Sequence, residues 1–99
     1  MTKIKMLVDR IDEEICDAKT YAENYVEFKA MNDSTWANRY KEMANDELKH
    51  ADYIHERAVN EINRLRTVYT PPAEMLEMWD VEHKKYVEKT AWIKTMLQL

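Results

Sequence analysis

Apolar residues recur along the first third of the chain in steps of three and four: Ile4, Leu7, Ile11, Ala18, Tyr21, Tyr25 and Phe28. Glu14 occupies the one stripe position that carries charge, and Val8, Ile15 and Ala22 widen the stripe. This period is that of an amphipathic helix, and it predicts one from about Lys3 to about Met31. Asn32-Asp33-Ser34 interrupts the pattern, and Asp33 or Ser34 can cap a following helix through its side-chain oxygen. A second stripe reads Trp36, Tyr40, Met43, Glu47, His50, Ala51, Ile54, Ala58, Ile62 and Leu65. It predicts a helix from about Thr35 to about Tyr69, roughly 50 Å long, whose end projects towards a partner or the third helix. Thr70-Pro71-Pro72 stops it, with Thr70 as the expected cap of the next helix. The third stripe, Leu76, Trp79, His83, Tyr86, Thr90, Ile93 and Leu97, predicts a helix from about Pro71 to about Met96. The expected fold is all-α: an antiparallel helical hairpin plus a third, C-terminal helix, in a single domain over residues 1–99.

Composition narrows the picture. Among 99 residues there is no glycine, and the only two prolines are adjacent, so tight hairpins of strands are not expected. The net charge is -4 with mixed signs, and no basic cluster points to nucleic acid or an anionic membrane. Cys16 is the single cysteine, which excludes an internal disulfide and a thiolate zinc site. No signal sequence or membrane span is read, so a cytoplasmic location is the expectation.

The chemistry concentrates at Glu14, Glu47 and His50. Residues three apart share a helix face, so Glu47 and His50 aim at one spot. A carboxylate on an apolar stripe loses hydration worth several kcal/mol. A lone one is ordinarily explained by snorkelling or by pairing with a lysine. Two such carboxylates with a histidine in register favour a cation, and Ala18 and Ala51 leave room beside them. Hard oxygen donors with few histidines suit iron or manganese.

Two stretches resemble the ferritin-like superfamily of rubrerythrins and bacterioferritins. The first is Glu14-Ile15-Cys16-Asp17-Ala18-Lys19-Thr20-Tyr21, a Glu followed seven residues later by Tyr. The second is Met43-Ala44-Asn45-Asp46-Glu47-Leu48-Lys49-His50-Ala51, which carries Glu-x-x-His-Ala. The resemblance covers about Ile4 to Leu65. It implies Glu14 as a terminal or bridging ligand, Glu47 as a bridging ligand, His50 as a terminal ligand and Tyr21 as a neighbour that supports the ligands or is redox-active. It implies ferroxidase or peroxide-reducing activity, with oxygen or peroxide as the oxidant.

One departure is large. A complete ferritin-like bundle has four long helices and two half-sites, and this chain has one half-site. Glu82 is followed by Lys85 and Lys89, so the third helix supplies no second copy. A homodimer, alone or within a higher homo-oligomer, would restore the four-helix bundle around two iron ions, as in encapsulated ferritins, which this arrangement resembles. The alternative expectation is a non-enzymatic helical interaction module or a metal sensor. His83 is expected to be a core or interface histidine, with an auxiliary ligand as the sharper alternative. His55 and Glu56 are expected to be solvated, Trp36, Trp79 and Trp92 to be packing or interface residues, and Cys16 to be structural.

Overall fold

Without glycine the chain still reverses direction in three residues. Thr2–Ala30 forms helix α1 and Ser34–Arg66 forms α2. Between them Asn32 adopts φ 60°, the left-handed conformation that asparagine tolerates better than most residues. The Asp33 N–H donates to the Phe28 carbonyl at 3.0 Å and the Asn32 N–H donates to the Lys29 carbonyl at 3.0 Å. Together these form a Schellman end for α1. Asp33 then turns to α2, its side chain accepting from the Trp36 N–H at 3.2 Å. Of the two expected caps, Asp33 is the one used.

A computed structural model describes residues 2–99, and helices are the only regular elements among them. The third helix, α3, spans Ala73–Met96. Both downstream boundaries differ from expectation. α2 ends at Arg66 rather than Tyr69, because Thr67 closes it by donating to the Arg64 carbonyl from both N–H and Oγ1. α3 starts after both prolines, with Pro72 rather than Thr70 at its N-cap and no side chain capping it. α3 runs parallel to α1 and antiparallel to α2: Lys85 reaches Asp12 of α1, and Tyr86 reaches Asp52 of α2. Of the two expected destinations for the end of α2, it meets the third helix: Ile62 packs with Met75 of α3 and with Ile4 and Val8 of α1. The bundle is a rod of 55 × 17 × 17 Å, and no helix among the described residues is long and apolar enough to cross a membrane.

The seam between α1 and α2 is built largely of alanine. Ala18, Ala22, Ala37, Ala44, Ala51 and Ala58 are all buried. Small side chains let helix axes approach towards roughly 8 Å, the short end of the usual range. Larger residues (Ile11, Ile15, Leu48, Ile93 and Leu97) join most of these alanines in the main core. Each such aliphatic side chain contributes about 1.5–3 kcal/mol on burial.

The stripe read for α2 is rotated from its true core. Trp36 and Met43 are 50% and 38% exposed, while Ala37, Ala44 and Leu48, each one position from a stripe residue, are buried. Periodicity locates a face only to within about one residue of rotation, here 100° of arc. Of the tryptophans expected at packing or interface positions, Trp92 is 60% exposed on this chain, whereas Trp79 is partly buried against both core clusters. Cys16 is exposed. His55 is not solvated: it stacks on Tyr86 with ring centroids 4.1 Å apart and lies 5.0 Å from Trp79. His83 is exposed on α3, with its Nδ1 2.9 Å from His55 Nε2.

Glu82 is 2% exposed, and its Oε1 lacks a hydrogen-bond partner. Its Oε2 lies 3.6 Å from the Lys85 ammonium, which is 3.4 Å from Asp12. Burial, with further pressure from Asp12, pushes the Glu82 carboxyl from its ordinary 4.5 up to about 7. The folded state thus holds a proton that the unfolded chain has released, so this group costs stability as pH rises from about 4.5 through about 7. Glu82→Gln is expected to flatten the loss of melting temperature between about pH 5 and about pH 8. Identical pH slopes in melts of the two proteins would contradict this.

Candidate metal centre

The alanine seam brings α1 and α2 close enough for carboxylates on the two helices to meet. Glu14 projects from the middle of α1, and Glu47 and His50 from one face of α2. One donor atom from each lies within 4.8 Å of the other two. His50 Nδ1 is 3.6 Å from Glu14 Oε2 and 3.7 Å from Glu47 Oε1. The group lies in a shallow depression walled also by Arg10, Asp17, Tyr53 and Ile54, all on α1 or α2. α3 covers a different face of the hairpin. Side-chain exposure is 14% for Glu14, 21% for Glu47 and 54% for His50, so the carboxylates are mostly shielded and the imidazole is open.

The interaction between the two facing carboxyl groups is the main cause that lowers Glu14 and the main cause that raises Glu47 to about 7, so below that pH the pair shares a proton. Burial adds to the rise at Glu47, as does the charge of Glu14. Arg10, one turn before Glu14, places its guanidinium 3.5 Å from the Glu14 carboxylate. In this state a proton and an arginine offset the negative charge of the pair.

The donor set fits a hard divalent cation in kind: two carboxylates and an imidazole. It falls short in number, because such ions ordinarily take four to six ligands. A cation entering the group must displace the shared proton. Uptake of manganese(II) is therefore expected to weaken by up to about tenfold per pH unit below about 7. Isothermal titration across that range checks this, and pH-independent affinity would contradict it.

Of the four residues singled out from sequence, Glu14, Glu47 and His50 come together. Tyr21 lies two helical turns further along α1, about 10.5 Å of axial rise from Glu14. Its ring is 6.2 Å from Tyr40, which in turn stacks on Phe28 at 5.4 Å. It is not among the walls of the depression. Sequence reasoning did not single out Arg10, although its position four residues before Glu14 is the ordinary spacing of a helical ion pair. Comparison with protein-family models, with curated proteins and with solved structures finds no match for this chain.

Proposed function

We propose that this chain is half of a ferritin-like di-metal site, completed by a second copy, at which ferrous iron is oxidised by oxygen or peroxide. The observation that carries the reading is the convergence of Glu14, Glu47 and His50 within 4.8 Å on the hairpin face that α3 leaves open. A partner of the same sequence supplies what three donors lack. A two-fold axis beside this face doubles them to four carboxylates and two imidazoles. Met6, Trp36, Met43 and Tyr53 are exposed apolar residues of the hairpin available to such an interface.

Within this reading Glu14 and Glu47 bind the ferrous substrate through oxygen, and Glu47 releases its proton as the ion enters. His50 binds as neutral imidazole. Arg10 must release Glu14 for the site to load, and it remains close enough to steady the carboxylate. The alanine seam holds the two helices close, which keeps donor atoms of Glu14, Glu47 and His50 within 4.8 Å of one another. The balance is two Fe(II) and two protons per peroxide, giving two Fe(III) and two waters; oxygen takes four of each. Manganese is the other ion suited to these donors.

Ferrous iron added without air, followed by admission of air, tests the reading through ferric absorbance. Catalysed oxidation above the protein-free rate supports it. Stoichiometric binding without turnover indicates a metal sensor, and no binding indicates an interaction module.

A further inference from the structure

On the opposite flank of α2, one residue from α2 and one from α3 set two imidazole nitrogens face to face. His55 Nε2 and His83 Nδ1 are 2.9 Å apart. We infer that His55 and His83 form a second metal site, one that takes a late first-row divalent cation (zinc, nickel or copper) and ties α3 to the hairpin.

Both nitrogens face the gap between them, so the proton they share can be exchanged for a cation that each ring ligates. Zinc–nitrogen bonds of 2.0–2.1 Å at a tetrahedral angle place two nitrogens about 3.4 Å apart. The nitrogens need to open by about 0.5 Å, and the rings to turn so that both lone pairs converge on the ion. His83 can supply that movement because it is exposed, while His55 is held in plane. The Tyr86 ring stacks on His55 at an interplanar angle of 16°, and Trp79 lies against it at 5.0 Å. The Tyr86 hydroxyl donates to Asp52, which fixes the stacking partner in turn. Water can complete the coordination on the open side of His83.

The donor chemistry separates this site from the first. Two imidazole nitrogens favour the borderline ions of the late series, whereas the Glu14–Glu47 pair favours harder iron or manganese. The inference is independent of the proposed oxidation. Its consequence is mechanical: α3 is tied directly to α2 at this point, so occupancy stabilises the bundle.

The test uses full-length Glu47→Ala protein, which removes a ligand of the first site. Zinc is expected to bind it with one ion per chain and to raise its melting temperature. His83→Ala in that background is expected to weaken zinc binding by at least about tenfold, since losing a ligand exceeds the loss of an outer partner. His83→Gln guards against a packing effect and gives the same loss. His83→Cys restores binding through its thiolate. Copper(II) EPR of the Glu47→Ala protein is expected to show coupling to two imidazole nitrogens. Zinc affinity unchanged in both His83→Ala and His83→Gln overturns the inference, as does failure of the Glu47→Ala protein to bind zinc.

Discussion

Glu47→Ala is expected to cut the protein-dependent rate of ferrous oxidation by at least about 100-fold and to leave the helices intact. The size follows from its position. Glu47 pairs directly with Glu14 and approaches His50, so its loss removes a donor from the centre of the group. Outer partners of metal sites alone are worth about 10–100-fold, and a direct ligand exceeds them. The fold should survive because Glu47 is held in an unfavourable state: its carboxyl is pushed up to about 7 by the facing Glu14 carboxyl and by burial. Removing one of two crowded carboxylates relieves repulsion above that pH, where two unit charges about 4 Å apart cost roughly 4 kcal/mol at an effective dielectric near 20. The variant therefore has two signatures. Metal-free, it melts no lower than the parent above about pH 7. With metal, it loses the gain of about 2.7 kcal/mol that a ligand confers at a hundredfold excess over its dissociation constant. Stopped-flow absorbance and calorimetric melts read both. Unchanged oxidation in a folded Glu47→Ala protein would remove Glu47 from the site.

Ala51→Leu should damage the same site without touching a ligand. Ala51 is fully buried in the seam, one residue after His50 and one turn after Glu47. It shares the main core with Ala18, Ala22 and Ala44. Leucine adds three carbons where neighbouring side chains are already in contact, and such overpacking costs about 1–3 kcal/mol. For a domain of this size that corresponds to a fall of roughly 5–20 °C in melting temperature. The helices can accommodate leucine by moving apart, which separates Glu14 from Glu47. The rise of the Glu47 pKa then shrinks, because its main cause is the interaction between the two carboxyl groups. Carbonyl NMR of the two glutamates across the titration reads that change directly. A melting temperature and a Glu47 titration both unchanged would show that the alanine seam does not set the spacing.

Much of this was legible in the chain. The three helices follow from stripes in steps of three and four, and Asp33 was readable as a cap because it precedes a new apolar period. Glu14, Glu47 and His50 stood out because they are charged or polar at stripe positions. The structure refines why: the stripe through Trp36, Tyr40, Met43, Glu47 and His50 lies beside the buried line of Ala37, Ala44, Leu48 and Ala51, on the rim of the hairpin. Alanine carries little weight in a hydrophobic pattern, so the tight seam was hidden behind its larger neighbours.

What escaped notice depends on how α3 sits. His55 reads as a polar residue on a solvated face until Trp79, His83 and Tyr86 arrive from a helix about 30 residues away. Glu82 reads as an acid that starts no second ligand motif, with nothing in the sequence to mark it as buried. Only the docking of α3 against Asp12 buries it. No local periodicity encodes those contacts, because they join elements whose relative rotation is set by packing.

Glu14, Glu47 and His50 are proposed to act as one half of a shared cation site. Sedimentation equilibrium with metal analysis decides this, on protein stripped with chelator and then supplied anaerobically with ferrous iron. A dimer that carries two ions bound at the Glu14–Glu47–His50 groups is expected, with both dimer and ions lost in Glu14→Ala. Iron-free protein, or iron retained in full by Glu14→Ala, would contradict it.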